Sequence, residues 1–405
     1  MLAVKRHILV IVALTVSVIA AAQNNTSSPF SCFGLGDIND NVPTTYRAMG
    51  SLGVGMRNRK VINPSQPASY TSTDSLTFMF DLAADVMWTR YGDVAGTKNK
   101  ANGNLEYITL QFPIYKRYIA FSAGILPFSS VGYDFTLTDS INSDYHFTKT
   151  YIGTGGITQI YAGLGFNLFD WVALGANVYY MFGDVSNGRS VTFDESAVNA
   201  VAQASELSVS SVRFREGIQL FHTFGKHDIA LGAIFENKRT LKSDFILAES
   251  TQLDTVWVYK DIAQVPMMFG VGASYTWDNR LTVGFDFTRS YWSQTKVVTG
   301  FDAMRDRNKY AFGVEYRHNQ YGRNYAERMM WRAGCTMSDS YVTKIKQPDF
   351  IVSAGLGFPL RNAGTVFNVT FEYGHRGTKS TLEEHFLRMT FNASIAENWF
   401  FKRRL

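Results

Sequence analysis

The C-terminal part of the chain alternates strictly between apolar and polar side chains. Leu387, Met389, Phe391, Ala393 and Ile395 are each separated by one polar residue. Because side chains on a strand point alternately to its two faces, such a segment forms a strand with one apolar and one polar face. The pattern recurs over most of the chain, with aromatic residues at the segment ends. A transmembrane β-barrel needs this pattern, since lipid contacts its outer face and water or a polar plug its inner face.

The N-terminus has the pattern of a secretory signal peptide. Lys5 and Arg6 precede an apolar run from Ile8 to Ala22. This run is shorter than the roughly 20 residues that a membrane-spanning helix needs, which disfavours an N-terminal anchor. We expect residues 1–23 to be the signal peptide. If the exported chain enters a membrane, it must do so as a closed barrel, because backbone groups in lipid need internal partners.

The composition agrees with a barrel and argues against a nucleic-acid-binding protein. Aromatic residues make up 15% of the chain and charged residues only 18%, while the mean hydropathy is −0.09 because alternation hides the apolar face. The net charge of +5 is small and evenly spread, which is not the basic patch that nucleic acid requires. The predicted partners are therefore outer-membrane lipid and no nucleic acid.

Alternation, with breaks at Gly, Pro, Asn and Asp, predicts an all-β fold of fourteen antiparallel strands. They lie at 75–91, 104–113, 117–128, 156–168, 171–184, 207–224, 227–240, 265–277, 280–292, 308–318, 326–339, 349–359, 364–375 and 384–397. Short and long breaks alternate between them, as do the periplasmic turns and external loops of outer-membrane barrels. We therefore expect a Gram-negative outer-membrane barrel over residues 75–405, with both termini in the periplasm.

Residues 24–74 do not alternate. They are rich in Gly, Asn and Ser, but they also carry apolar and basic residues. A disordered tail is one interpretation of this segment. Its mixed composition favours the other, a compact N-terminal plug (hatch) that lies inside the lumen.

The plug segment and the fourteen strands together resemble the long-chain fatty-acid transporter (FadL/TodX-like) family of outer-membrane proteins. The residues that carry the resemblance are Gly34, Gly36, Arg47 to Gly50, Asn63, Pro64, Pro67 and Ala68. The tight Asn-Pro-Ala motif of that family is split here by Ser65 and Gln66, so the chain looks like a divergent branch. The resemblance implies uptake of a hydrophobic, fatty-acid-like molecule through a plugged barrel, with release through a gap where a strand kinks inward.

In the alternating pattern, several charged residues stand at the positions that face the lumen. They are Asp81, Asp85, Arg213, Arg215, Asp286, Glu315, Arg317, Arg328, Arg332, Glu372 and Arg388. The favoured interpretation is that they hold the plug by ion pairs and hydrogen bonds, with Arg47, Arg57 and Arg59 of the plug as partners. The alternative is that one or two of the arginines bind a carboxylate or phosphate head group.

Pro127 interrupts the third predicted strand. Proline cannot donate to a ladder and is expected at an edge, a bulge or a strand end. It could mark the kink of a lateral gate. Its place just before a long break favours the end of the strand instead.

The sequence lacks the usual catalytic and metal-binding motifs. It contains no Gly-x-Ser-x-Gly, His-Glu-x-x-His or Cys-x-x-Cys, and Gly153 to Gly156 is followed by a strand pattern rather than by a helix. We therefore expect no catalysis, no metal and no cofactor.

Two functions of different classes remain open. The first is uptake of a hydrophobic small molecule. The second is a structural or accessory barrel in a secretion or surface-assembly complex; the plug-like segment disfavours an open porin. An apolar lumenal pocket beside the plug favours transport, and a lumen packed with ion pairs favours the accessory role. A monomer is expected, with a hydrophobic ligand and the barrel-assembly machinery as partners.

Overall fold

The computed structural model describes most of the chain. The described residues are 26–92, 96–142, 145–193, 200–250, 255–296, 304–343, 345, 347–360, 364–379 and 382–398. The predicted signal peptide lies outside them. Within these ranges, no helix has both the length and the apolar character needed to cross a membrane.

Fourteen antiparallel strands form a closed barrel, as predicted from the alternation. They are β2 (Thr77–Gly92), β3 (Thr97–Tyr115), β4 (Ile119–Asn142), β5 (Tyr145–Phe169), β6 (Val172–Phe193), β7 (Val201–Phe224), β8 (His227–Glu236), β13 (Met268–Trp277), β14 (Leu281–Ser290), β15 (Arg307–Tyr316), β16 (Met330–Ser338), β17 (Asp349–Pro359), β18 (Val366–Thr378) and β19 (Leu382–Asn398). The ring closes where β19 pairs with β2, from Glu383 opposite Gly92 to Asn398 opposite Thr77.

Five short strands and a few helical turns complete the described part. The strands are β1 (Asp37–Ile38), β9 (Arg239–Thr240), β10 (Ser243–Ser250), β11 (Thr255–Lys260) and β12 (Gln264–Val265). The α-helical turns are α1 (Thr44–Arg47) and α2 (Tyr325–Arg328), and 3₁₀ turns lie at Pro29–Cys32, Pro67–Ser72 and Trp292–Gln294.

The two faces of the barrel separate by residue parity, as the sequence predicts. On β19, Phe391 points outward and is 48% exposed, whereas the adjacent Thr390 points inward and is 0% exposed. The outer face carries the large apolar side chains that lipid solvates. The inner face is buried although no lipid reaches it, so something other than water fills the lumen.

The strands are longer than predicted on one side of the barrel. Residues 129–155 and 185–206 were expected to be long loops, but β4 and β5 stay paired as far as Asn142 opposite Tyr145. In the same way β6 and β7 stay paired as far as Val191 opposite Val201. The alternation is lost there because a strand outside the lipid carries polar residues on both of its faces. A sequence pattern cannot distinguish such a strand from a loop.

A hairpin extends this tall side of the barrel. β10 pairs with the first half of β7, from Ser250 opposite Ala202 to Ser243 opposite Val209. β11 then pairs with β10. Within the described residues, β11 has no strand on its other side, and all six of its residues are exposed. In the part of the chain that the structure describes, it is therefore a free edge, at the end of the barrel away from the short turns.

The lumen is occupied by the N-terminal segment, residues 26–74. β1 pairs with an edge of β4, with Asp37 opposite Ser130 and Ile38 opposite Ser129, beyond Ile125, the last residue of β4 that pairs with β3. Farther along, an apolar cluster of Val42, Tyr46, Met49, Leu52, Met56 and Val61 packs on Ala311 of β15. This segment makes the lumen a packed core rather than an open pore.

Candidate functional site

The strongest anchor of the N-terminal segment is Asp286 on β14. Its Oδ2 accepts hydrogen bonds from the backbone N–H groups of Gly53 at 2.6 Å and Val54 at 2.7 Å. Its Oδ1 accepts a third from the N–H of Gly55 at 2.9 Å. Three hydrogen bonds from backbone N–H groups satisfy this buried carboxylate. The bonds fix the turn at Gly53 to Gly55 against the barrel wall.

Arg47 of α1 holds the segment through a network of charges. Its Nη1 lies 2.8 Å from Oε2 of Glu106, and its Nε lies 3.5 Å from Oε2 of Glu372. Arg388 joins the same network, with its Nε 3.2 Å from Asp85 and its Nη1 3.7 Å from Glu372. Two arginines therefore face three carboxylates, and all these charges lie within the wall and the segment.

A second cluster consists of two arginines of β7 and one carboxylate of β8. Nη1 of Arg213 lies 2.5 Å from Oε2 of Glu236, and Nε of Arg215 contacts the other carboxylate oxygen. The remaining guanidinium groups reach Gln159 at 2.8 Å and the carbonyl of Ser65 at 3.4 Å. Since each arginine already has partners, neither is a ready-made receptor for a ligand head group.

Asp40 ties the segment to β15. Its carboxylate lies 2.7 Å from Nζ of Lys309 and 3.6 Å from Arg307. Burial opposes the ionisation of Asp40, but the two cations outweigh it and hold the pKa of this carboxyl far below its usual value. The contact is therefore an ion pair at any physiological pH.

The motif residues of the segment allow its backbone to pack closely against the barrel wall. Gly50 has φ +70°, and an added Cβ would lie 2.4 Å from the carbonyl oxygen of Phe312. Its N–H donates to Oγ of Ser353 at 2.9 Å. Asn63 donates to the carbonyl of Gly53 at 2.7 Å. These contacts explain why only glycine fits at position 50 and why an amide stands at position 63.

The remaining motif residues lie at both ends of the segment. Gly34 and Gly36 have positive φ and lie beside Tyr341, which contacts the carbonyl of Gly36. The carbonyl of Pro64 accepts from Asn177 at 2.9 Å. Pro67 begins a 3₁₀ turn in which Ala68 is fully buried.

Nine of the eleven charged residues that parity assigned to the lumen lie on the inner face of a strand. They are Asp81, Asp85, Arg213, Arg215, Asp286, Glu315, Arg332, Glu372 and Arg388. Glu315 and Arg332 pair with each other at 2.6 Å. Asp81 accepts from Asn392. A ligand-binding role for these nine residues stays a prediction.

Arg317 and Arg328 lie just past the ends of strands, so they are not on the inner face of a strand, and their role in the lumen stays a prediction. Arg317 follows the end of β15 and donates to the carbonyl of Asn279 at 3.0 Å, in the neighbouring turn. Arg328 is the last residue of α2, with its guanidinium over the ring of Tyr325. Both positions continue the parity of an adjacent strand past its end. Parity alone cannot detect where a strand stops.

Several residues that hold the segment were missed from the sequence. Glu236 and Lys309 share the inward parity of their strands, so that signal could have found them. Glu106 has the parity of the outward Ile108, because the pairing of β2 with β3 shifts register there and skips Glu106. The inward glycines were missed as well. A Cβ at Gly175 would lie 2.4 Å from Pro67, and one at Gly232 would lie 2.0 Å from Val54. Glycine on the inner face of a strand indicates close approach of another backbone.

Pro127 does not end a strand, so the favoured interpretation was wrong. β4 continues to Asn142, with an irregularity in its pairing to β5 between Pro127 and Ser129. The skipped residue, Phe128, offers its carbonyl to the N–H of Asn39 at 2.9 Å. The strand therefore has a bulge that accepts the N-terminal segment. The cavity beside Pro127 measures only about 10 Å³.

A larger cavity of about 110 Å³ lies between the segment and the wall. Phe128, Val265 and Trp292 supply apolar surface. Seven ionisable residues line it as well, namely Asp40, Arg213, Arg215, Glu236, Asp286, Arg307 and Lys309. The cavity is thus bounded by the same ion pairs that hold the segment.

Several hydrocarbon channels are among the solved structures with this architecture. The toluene transporter TodX of P. putida is 14% identical, with 90% of this chain and 100% of that chain covered and a TM-score of 0.63. The toluene transporter TbuX of Ralstonia pickettii is 15% identical, with 88% and 98% covered and a TM-score of 0.57. The monoaromatic hydrocarbon channel CymD is 14% identical, with 89% and 99% covered and a TM-score of 0.58.

The similarity to these structures confirms the predicted FadL/TodX-like barrel. At such low sequence identity, it shows the fold alone. The barrel thus has the architecture of outer-membrane transporters of that type. No curated protein matches the sequence. A family model does match, and it spans residues 4–405, nearly the whole chain. The chain belongs to the BamG family.

Proposed function

We propose that this protein is a sealed outer-membrane barrel that acts as an accessory subunit of a complex that assembles other outer-membrane proteins. The observation that carries this proposal is the content of the lumen. Ion pairs, hydrogen bonds and apolar packing fill the space between the N-terminal segment and the wall, and the cavity of about 110 Å³ is lined by seven ionisable side chains.

The lumen is a poor path for a hydrophobic solute. Binding sites for apolar ligands are lined mainly by hydrophobic and aromatic side chains. Here a hydrocarbon would lie against the charged groups of Asp40, Glu236 and their cationic partners. To open the path, the segment would also have to leave Asp286 and break the pair of Arg47 with Glu106. Breaking one buried pair typically costs about 3–5 kcal/mol, so a fixed segment fits the geometry better than a moving one.

The family match supports the same role. The family name BamG suggests a relation to barrel assembly. An accessory subunit needs a stable body in the membrane and a surface for partners, but it needs no conducting pore. A filled lumen and a tall external rim meet these two requirements.

Uptake of a hydrophobic, fatty-acid-like molecule is the second candidate. It is favoured by the fold that this barrel shares with TodX, TbuX and CymD. The bulge of β4 at Pro127 also supports it, because a lateral gate would need a strand that departs from regular pairing there. Neither candidate is an enzyme. Both agree with an outer-membrane barrel whose chain ends face the periplasm, an orientation that rests on the alternation of short and long breaks.

One experiment separates the two candidates. The protein is extracted in mild detergent from the outer membrane of its own organism, without overproduction, and is resolved by native electrophoresis. We expect it to migrate in a stoichiometric complex with the core barrel-assembly subunit. We also expect proteoliposomes of the purified protein to take up toluene and oleate no faster than protein-free liposomes. Migration as a monomer together with rapid uptake would instead support transport.

The free edge of β11 is the surface that we propose for the partner. Its unpaired backbone groups can gain regular partners only from another extended strand, and such edges accept strands by β-augmentation. Val256 and Val258 are 61% and 60% exposed. Exposed apolar side chains that lie together are unusual on a surface that stays in water. The occupant we expect is an extended segment of another protein of the complex.

A second copy of this chain does not fit that edge. Symmetric pairing of two identical edges is antiparallel and needs a two-fold axis perpendicular to the strands. Two copies that stand upright in one membrane are related by an axis along the membrane normal. Since barrel strands tilt only about 35–45° from that normal, the two copies of β11 cannot become antiparallel partners.

Charges on this edge should separate the protein from its complex. The double change Val256→Lys and Val258→Lys is expected to reduce the fraction in the complex at least tenfold, because a lysine row disfavours strand addition. Native electrophoresis measures that fraction, and heat-modifiability of the band checks that the barrel is folded. Val201→Lys, on β7 and away from the edge, is the control. An unchanged complex with the double variant would exclude β11 as the interface.

A further inference from the structure

Two histidines and a glutamate converge on the outer surface of the barrel. His375 of β18 and His385 of β19 are direct cross-strand partners. Glu383 lies two residues before His385, so it shares the same face. Nε2 of His375 lies 3.2 Å from Oε1 of Glu383, and Nε2 of His385 lies 3.3 Å from the same oxygen. All three ligand atoms lie within 4.8 Å of one another.

These distances are those of a metal-ligand set. Tetrahedral Zn²⁺ takes imidazole nitrogen and carboxylate oxygen at about 2.0–2.2 Å, which separates neighbouring ligand atoms by about 3.3 Å. Both histidine–glutamate distances already have this value. A cation between the three atoms would need only a small rotation of the two rings toward each other. The rings lie close, with centroids 4.7 Å apart.

The surroundings supply the support that a ligating histidine needs. Nδ1 of His385 lies 2.8 Å from the hydroxyl of Tyr373, so the nitrogen that does not face Glu383 already has a partner. Metal-bound histidines use their second nitrogen in this way, which fixes the ring and its tautomer. The three ligand residues are partly exposed, so an ion can enter from solvent. The site lies next to the connection between β18 and β19, on the outer face of the wall, whereas Arg376 and Glu384 contact the N-terminal segment on the inner face.

We propose that His375, Glu383 and His385 bind one Zn²⁺, with a fourth position open to solvent. Imidazole with carboxylate is a donor set that suits zinc, whereas magnesium and calcium prefer oxygen ligands. The ion would join β18 to β19 beside the seam where the barrel closes. Arg90 on β2, the cross-strand partner of His385, is the one charge in register with the histidine from the other side. Because the positive charge of Arg90 repels a cation, it limits the affinity of the site for Zn²⁺, and we expect micromolar binding.

The test uses the purified full-length barrel in detergent, stripped with a chelator and then titrated with ZnCl₂ by calorimetry. We expect one equivalent to bind, and we expect Mg²⁺ to compete poorly. His375→Gln, Glu383→Gln and His385→Gln should each weaken binding at least tenfold. Co²⁺ substitution gives a second readout, since a tetrahedral site produces strong visible absorption.

His227→Gln is a matched control. His227 also contacts a tyrosine hydroxyl on the neighbouring strand, that of Tyr275 at 2.7 Å, but it has neither a second histidine nor a carboxylate beside it in the described residues. It should bind zinc as the wild type does. Equal binding by all four variants, or no binding by the wild type, would overturn the proposal. Heat-modifiability confirms that each variant is folded, because these side chains lie on the surface.

Discussion

Replacing Asp286 with Ala is expected to destabilise the folded protein by about 3–5 kcal/mol and to release the N-terminal segment. The carboxylate accepts three backbone N–H groups, from Gly53, Val54 and Gly55. Without it, three buried donors lose their partner at once, and water cannot reach them without separating the segment from β14. The effect should therefore exceed that of a single lost hydrogen bond.

Three measurements check this expectation. Denaturant unfolding in detergent gives the change in free energy, limited proteolysis reports release of residues 26–74, and planar bilayers report conductance. Asp286→Asn keeps one acceptor oxygen and should fall between Ala and wild type. Asp228→Ala removes a carboxylate that accepts only the hydroxyl of Thr223 at a turn, so its cost should be small. A closed, protease-resistant Asp286→Ala variant would show that other contacts hold the segment.

Phe391→Arg tests the lipid-facing surface. Phe391 points outward near the middle of β19, opposite Val369 and Ala84. An arginine at the bilayer midplane costs about 2–4 kcal/mol on the outer face of a barrel. We expect the folded fraction in a heat-modifiability assay to fall by more than tenfold. Phe391→Leu, which stays apolar, should fold normally.

Thr390→Arg makes the matched comparison on the inner face. In an open pore an arginine would be tolerated there. Thr390 is fully buried, however, and its neighbour Thr370 donates to the carbonyl of Thr44 in the segment. The arginine should therefore displace the segment at a cost of about 1–3 kcal/mol, the usual range for overpacking. We expect a folded barrel with a protease-sensitive N-terminal segment. Equal folding losses for the two substitutions would contradict the assigned faces.

The sequence was enough to predict the barrel and much of the lumen. Lipid selects apolar residues at every second position, so alternation reveals both the strands and their faces. The same parity placed Asp286 and Glu372 on the inner wall, where they hold the segment. Arg47 was expected to pair with inward acids, and it does so with Glu372.

Features that depend on register could not be predicted. Sequence parity assigns a residue to a face, but not to a height on the wall or to a neighbour across strands. The pairing of Arg213 and Arg215 with Glu236, which joins two strands, was therefore missed. The convergence of His375, Glu383 and His385 was missed for the same reason, and the absence of a local metal motif predicted no metal site.

The seam of the barrel sets an order for its construction. β19 pairs with β2 along 16 residue pairs, so the first and last strands of the barrel enclose the lumen only when they meet. Gly53 to Gly55 of the N-terminal segment bind Asp286 of β14, whereas Ile38 of the same segment pairs with β4, so the segment joins the two halves of the ring. The full set of contacts that fixes the segment therefore exists only after β14 has joined the sheet, late in the order of the chain.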